Sequence, residues 1–217
     1  MNTREGRRPL KVRDTGFVQK TACYLSGKNI TPNQISISSV FLATSAAACL
    51  VLLPYIAGTG KWLLPILAAV FIQCRLLCNL FDGMVAIEGG KTTPSGELFN
   101  DIPDRIADPL ILIAAGYAII PIDGAETVGW FAGLLSVFTA YIRTLSVSIS
   151  VPADFRGPMA KQHRMALMTI ACILTSFEGF FWQQGYILFV SLWLIVIGSV
   201  ITVFRRIIAA YRYMESK

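Results

Sequence analysis

The chain has 217 residues, of which 54% are hydrophobic and only 15% charged, and its mean hydropathy is +0.59. A soluble domain usually carries about 25% charged residues, so this composition excludes an ordinary soluble enzyme, a disordered chain and a disulfide scaffold, and points to an all-α integral membrane protein. Nineteen Lys and Arg against thirteen Asp and Glu leave a net charge of +6, but the basic residues sit at the ends of apolar runs, which is the pattern of membrane topology and not of a nucleic-acid partner.

Residues 1–30 are polar and basic and contain no apolar core of a cleavable signal. Leu10, Val12, Phe17, Val18, Cys23, Tyr24 and Leu25 are spread among basic residues. A short amphipathic helix lying on the anionic inner leaflet is expected there, the alternative being a basic tail that only sets topology. Thr31-Pro32-Asn33 then combines an N-cap residue with proline at the first helical position. No Asp, Glu, Lys or Arg occurs in 33–60, and a spanning helix needs about 20 apolar residues. The first span is therefore predicted over Asn33–Ile56, ended by Pro54 and the Gly58-Thr59-Gly60 turn. A second span starts near Lys61 and runs into the 80s, with Arg75 as its only charge before Asp82.

Residues 89–96, rich in Gly, Thr, Pro and Ser, read as a loop. The third span follows to about Ile120, polar in its first half and apolar in its second. After the Pro121-Ile122-Asp123-Gly124 turn, the fourth covers about Thr127 to Val151. A polar loop spans 152–164. Residues 165–204 then give 40 positions with one charge, Glu178. That is too long for one span, and the segment from Phe180 to Gly185 splits it into a fifth and a sixth, its aromatics suiting an interfacial belt. The expectation is one domain over 1–217: a cytoplasmic amphipathic segment at 1–30 and a bundle of six transmembrane helices over 31–210.

Lys and Arg set the orientation. Residues 1–32 hold seven of them, the loop at 88–96 has Lys91, the loop at 152–164 has Arg156, Lys161 and Arg164, and the tail has Arg205, Arg206, Arg212 and Lys217. The opposite loops offer only Lys61, beside the acidic Asp123, Glu126 and Glu178. Both termini are thus expected in the cytoplasm, with the protein in a bacterial inner membrane. The five cysteines, at 23, 49, 74, 78 and 172, lack zinc spacing and read as small apolar residues.

Six of the thirteen acidic residues fall between 82 and 108. Carboxylates at membrane depth are costly and are functional candidates by default. Asn79 and Asp82 are i, i+3, and Asp101, Asp104 and Asp108 follow i, i+3, i+7, so each set shares a helix face. A short loop joins the two helices, which lets the faces meet. Oxygen ligands so gathered suit a hard divalent cation, Mg²⁺ or Mn²⁺. Small residues beside it, Gly83 and Ala86, leave room for a phosphate or pyrophosphate. Two other readings compete: structural ion pairs of Asp104 or Asp108 with Arg75 or Arg143, and an ion or proton relay in a small transporter.

Asn79-x-x-Asp82-Gly83-x-x-Ala86-Ile87, eight residues, then Gly96-x-x-x-Asn100-x-x-x-Asp104 resembles the signature of the CDP-alcohol phosphotransferases, D-x-x-D-G-x-x-A-R, about eight residues, G-x-x-x-D-x-x-x-D. Arg8-Pro9-Leu10, Thr31-Pro32-Asn33 and the segment from Gly157 to Lys161 are also similar to segments of that family. The resemblance implies transfer of a phosphatidyl or other phospho-alcohol group from a CDP-alcohol, foremost CDP-diacylglycerol, to a small alcohol acceptor with release of CMP. It also implies two metal ions on four carboxylates, the last aspartate as base, membrane lipids as surroundings, and a homodimer. No nucleic acid is implied.

Three positions depart from the signature: Asn79, Asn100 and Ile87. Asparagine can ligate through its carbonyl oxygen but brings no charge. One metal is then natural, and two need charge from a neighbour. Asp101 is rotated about 100° from Asn100, and Asp108 lies one turn beyond Asp104. Arg75, Lys91 or Arg105 could stand in for the missing arginine at the phosphate. The expected metal set is Asn79, Asp82, Asn100, Asp104 and Asp101, with Asp104 also the base. Substrate contacts are expected from Gly83, Ala86, Gly96, Arg143, Lys161 and Arg164. The alternative within the family is an inactive relative that binds CDP-lipid or serves as a scaffold.

Overall fold

The computed structural model describes residues 16–28, 30–88 and 95–216. Leu10, Val12, Lys91 and most of the loop predicted at 89–96 lie outside the described residues. All regular structure among the described residues is helical: α1 (Gly16–Gly27), α2 (Pro32–Leu52), α3 (Gly60–Glu88), α4 (Gly96–Tyr117), α5 (Ala125–Ser148), α6 (Lys161–Glu178) and α7 (Tyr186–Glu215), with a 3₁₀ turn at Leu53–Tyr55.

The helix ends follow local chemistry. Thr31 caps α2 through a capping box: its Oγ1 accepts from the Gln34 N–H at 3.2 Å, and its own N–H donates to Gln34 Oε1 at 3.0 Å. Pro54 has no N–H to continue an α-helix, and the chain tightens into the 3₁₀ turn instead of running on to Ile56. The fourth predicted span ends at Ser148, three residues before Val151. There Ser150 takes a left-handed conformation (φ 62°), its N–H bonds to the Val147 carbonyl and the Val151 N–H bonds to the Ser146 carbonyl. This pair of bonds closes a helix C-terminus, usually around glycine. The split between the fifth and sixth predicted spans is fixed by Glu178. Its carboxylate, buried at the end of α6, accepts from the Gly185 and Ile187 N–H groups at 2.8 and 2.9 Å and from Trp182 Nε1 at 3.1 Å.

α2 lies along α3 and α4, α4 along α5, α5 along α7, and α3 along α6. The shared core is rich in alanine: Ala43, Ala46 and Ala47 of α2 meet Ala68, Ala69, Ala114 and Ala115. Small residues let backbones approach closely, which is how apolar helices gain packing where hydrophobic burial drives little. At the α4–α5 crossing a Cβ on Gly116 would lie 2.9 Å from the Ala125 carbonyl oxygen, and one on Gly129 3.0 Å from the Gly116 Cα.

Four of these helices, α2 with its 3₁₀ turn, α3, α5 and α7, are long and apolar enough to cross a membrane. α4 and α6 fall short of that composition because they carry the polar residues of the cluster described next. Pro65 sits inside α3, and Pro103 and Pro109 inside α4. Such prolines are tolerated where neighbouring helices cover the freed carbonyls.

Candidate active site

The charged residues converge at one end of the bundle. α3 presents Arg75, Asn79 and Asp82 at i, i+4, i+7, and α4 presents Asp104 and Asp108 at i, i+4. α2 enters with Ser36 near its start, α5 leaves with Thr139 and Arg143 near its end, α6 starts with Lys161 and Arg164, and α7 contributes Arg206.

Asp104 is the hub. Its Oδ1 accepts from Asn79 Nδ2 at 2.8 Å and from Arg75 Nη2 at 3.0 Å, and its Oδ2 accepts from the Lys161 ammonium. One turn deeper, Asp108 pairs with Arg75 Nη2 at 2.6 Å and with Arg164 Nη2 at 3.1 Å. Arg75 is wholly enclosed, and its Nε and Nη1 have no hydrogen-bond partner. Arg164 also donates to Thr139 Oγ1 at 3.1 Å and to the Met159 carbonyl at 2.8 Å. Its guanidinium is spent inside the bundle and is not open to a substrate.

Asp82 is 3% exposed and forms no ion pair. Its Oδ2 accepts from Ser36 Oγ at 2.7 Å and the Gly83 backbone N–H also acts on the carboxylate, while its Oδ1 is buried without a hydrogen-bond partner. Asp104 and Lys161 are the charges near enough to act on it. A bare carboxylate oxygen in such a place is expensive unless something fills its lone pairs.

Asp101 does not join this set. The turn of the helix sends it to the rim, where it bridges Arg105 at 2.6 Å and Arg143 at 3.0 Å. Arg143 also stacks over the Phe155 ring, 5.6 Å from its centroid. Asn100 lies exposed on α4, and Gly83, Ala86 and Gly96 are half-buried at the facing ends of α3 and α4. The 149–160 loop is tied down by a Met159 N–H bond to Thr202 Oγ1 and by Arg206, which donates to the Arg156 and Thr139 carbonyls. Within that loop, burial pushes the Asp154 carboxyl up, but the hydrogen bonds and charge of Arg156 outweigh it and hold the group below the usual carboxylate range.

Ser36, Thr139 and Arg206 are site residues that sequence reasoning missed. Ser36 and Ser39 both face inward on α2, and that polar pair on a buried face is the signal that could have found the first of them. His163 faces the Pro158 carbonyl, away from the carboxylates.

The donor set can be tested against a divalent cation. Among the described residues no group of three His, Cys, Asp or Glu comes together as ligands. The available donors are oxygens: the unpartnered Asp82 Oδ1, the Asn79 carbonyl left free when its amide nitrogen turns to Asp104, and Asn100. Hard oxygen donors around one bare buried carboxylate fit Mg²⁺ or Mn²⁺. At Asp104 both oxygens already carry cationic or amide partners.

A family model described as CDP-alcohol phosphatidyltransferase matches residues 29–211. The chain is 22% identical over 197 residues to a phosphatidylinositol phosphate synthase of Streptomyces avermitilis, covering 88% of this chain and 76% of that one. The fold is that of the phosphatidylinositol phosphate synthase of Mycobacterium tuberculosis. The crystal structure with CDP-DAG bound superposes with TM-score 0.73 at 20% identity, over 91% of this chain and 94% of that chain. The structure in complex with manganese and citrate gives 0.72 at 20% identity, over 89% and 88%.

Proposed function

The chain belongs to the CDP-alcohol phosphatidyltransferase family, and from that premise we propose that it moves a phosphatidyl group from CDP-diacylglycerol to a small alcohol, releasing CMP, in phospholipid synthesis. The observation that carries this reading is that Asp82 and Asp104, 22 residues apart on two helices, lie in electrostatic reach of each other, one Asp82 oxygen being buried without a hydrogen bond and Asp104 being held by Asn79. The family assignment sets aside the ion- or proton-coupled transporter.

Asp82 would hold the divalent cation, with the carbonyl oxygens of Asn79 and Asn100 as the further donors. A bound Mg²⁺ or Mn²⁺ supplies positive charge to the pyrophosphate as the phosphoanhydride bond breaks. Ser36 holds the other oxygen of Asp82 and so aims the free one. Asn79 and Arg75 hold Asp104 Oδ1, and Oδ2, which Lys161 engages on one lone pair, has a second lone pair to take the proton of the acceptor hydroxyl. Lys161 shares that oxygen and is placed to meet an anionic acceptor or a phosphate oxygen. Gly83, Ala86 and Gly96 leave space for the nucleotide between α3 and α4. At the rim Arg143 and Arg105, both held by Asp101, are placed to meet a phosphate.

All six long helices cross the membrane in this reading. Successive helices reach the cluster by alternate ends: α2, α4 and α6 near their starts, α3, α5 and α7 near their ends. That alternation supports six antiparallel spans, with α4 and α6 carrying their charges inward. The Lys/Arg bias then puts the cluster and both termini on the cytoplasmic side of a bacterial inner membrane, with α1 on the leaflet surface. Membrane lipids cover the outward apolar faces, and the family resemblance suggests a homodimer.

A non-catalytic CDP-lipid binder is the second reading, favoured by the two asparagines in the signature. One experiment separates them. Purified protein is incubated with CDP-diacylglycerol, Mg²⁺ or Mn²⁺ and a panel of alcohol acceptors. Metal-dependent CMP release is expected, falling by about 100-fold or more in Asp82→Ala and in Asp104→Ala, each still monodisperse in detergent. Full turnover in both variants overturns the mechanism. Binding of CDP-diacylglycerol without CMP release from any acceptor favours the binder.

A further inference from the structure

We infer that the site binds one divalent cation, at Asp82, and that the Lys161 ammonium stands at Asp104 where the four-carboxylate signature implies a second. The inference rests on the phosphatidyl-transfer reading and deepens it. It begins with the contact between Asn79 and Asp104. Two carboxylates at these positions would repel unless a cation lay between them. Here the asparagine amide donates directly to Asp104 at 2.8 Å, so the pair is self-satisfied and calls for no bridging ion. The other oxygen of Asp104 is taken by Lys161.

Lys161 is no wandering surface lysine. It is the first residue of α6, and its side chain is 27% exposed. The preceding residues are pinned by the Met159 N–H bond to Thr202 and by Arg164 on the Met159 carbonyl. The ammonium is also in electrostatic reach of Asp82. Asp82 is different. Among the described carboxylates of this cluster it alone has no ion-pair partner, and its buried Oδ1 has no hydrogen bond. Asp108 Oδ1 also lacks a hydrogen bond but lies 2.6 Å from the Arg75 guanidinium, so the Asp82 oxygen is the place this cluster leaves for a metal.

Charge balance points the same way. Three carboxylates, Asp82, Asp104 and Asp108, face three cations, Arg75, Lys161 and Arg164, and the cluster is formally neutral. The pyrophosphate of a CDP-lipid adds two negative charges, and one divalent ion cancels them. A second would leave two positive charges without partners in a low-dielectric site, which is costly. In a four-carboxylate site the same second ion is balanced by the two aspartates that are Asn79 and Asn100 here.

The test is Mn²⁺ binding, read by electron paramagnetic resonance on the full chain in detergent with CDP-diacylglycerol present and no acceptor alcohol, so that the charge of the pyrophosphate is in the site. Wild-type protein is expected to bind one Mn²⁺ per chain with an uncoupled six-line spectrum, and Asp82→Asn to weaken that binding by about 100-fold or more. The combined variant Asn79→Asp, Asn100→Asp, Lys161→Met is expected to take two Mn²⁺ with a spin-coupled spectrum. Two coupled ions per wild-type chain overturn the inference, as does unchanged binding in Asp82→Asn. The wild-type count decides the matter even if the combined variant fails to fold. Two coupled ions alongside metal-dependent CMP release refute the single-ion arrangement and leave the reaction standing. One ion bound without CMP release from any acceptor does the reverse.

Discussion

Replacing Asp108 by Ala is expected to cost far more stability than replacing Arg75 by Met, although the two residues form one ion pair. Arg75 reaches both Asp104 (3.0 Å) and Asp108 (2.6 Å) through a single nitrogen, Nη2. Its other two nitrogens are buried and unpartnered, each a liability of about 1–3 kcal/mol. When Arg75 becomes Met, those liabilities vanish and both carboxylates keep a cation, Lys161 on Asp104 and Arg164 on Asp108. The net change should lie within about 1 kcal/mol of zero, since a packed apolar side chain often replaces a buried ion without loss. Asp108→Ala instead strands two guanidinium groups. Arg75 keeps only Asp104, and Arg164 keeps only the neutral Thr139 and Met159 oxygens. Leaving buried charge uncompensated costs about 3–5 kcal/mol, or about 6–20 °C in Tm for a chain of this size. Thermal unfolding in detergent, followed by tryptophan fluorescence, measures both. The double variant should melt above Asp108→Ala alone, because it removes the stranded guanidinium. If Arg75→Met loses as much as Asp108→Ala, or the two losses simply add, the accounting of this network is wrong. CMP release should nevertheless fall in Arg75→Met, since Asp104 loses a donor that orients it.

Ser36→Ala should lower Mn²⁺ affinity by about 10–100-fold, the usual scale for a residue that orients a ligand, and stability by about 1–3 kcal/mol, because the buried Asp82 Oδ2 loses its donor; titration calorimetry and a melt on the purified protein read the two effects. Gly129→Ala should destabilise by about 1–3 kcal/mol through overpacking, because its Cβ would press on the α4 backbone at 3.0 Å; a wild-type melting curve would count against that crossing. Glu178→Ala should lower stability by about 3 kcal/mol or more, as two N–H groups and the Trp182 indole lose a charged acceptor. Because Glu178 sits at the opposite end of α6 from Lys161, CMP release per folded molecule should be retained below the melting point.

The helices were legible because apolar runs without charge stand between strong punctuation. Thr31-Pro32, Pro54 and the segment from Phe180 to Gly185 each mark a boundary that the structure has within a few residues. The misplaced end of α5 has a definite cause: a serine adopts the left-handed closing position, where only glycine or asparagine would have flagged it. The facing of α3 and α4 was legible too, since periodicity fixes a helix face regardless of what packs on it. What could not be read is which distant residue completes each contact. Ser36 is 46 positions from Asp82 and Lys161 is 57 from Asp104, and nothing local to either ties it to its partner.

Arg164 and Asp101 show why residue type alone misassigns such a site. Arg164 sits in a loop-proximal basic group that also serves as a topology signal, so its sequence context suggests the aqueous side. The first turn of α6 carries it inward, and Asp108 makes the burial tolerable. Asp101 is next to Asn100 in sequence, yet one residue of helical rotation delivers it to Arg105 and Arg143 at the rim. The same kind of pairing lets α4 and α6, which lack the composition of membrane spans, pack beside the four helices that have it. Hydropathy adds residues singly and counts each charge as a penalty, whereas Asp108 and Arg164 enter the interior as a pair with hydrogen bonds already made. A helix is therefore too polar by composition and still fit to span, provided every charge on it has an opposite charge on the neighbour it faces. Asp82 is the carboxylate of this cluster that fails that condition, and for that reason the proposed cation is assigned to it.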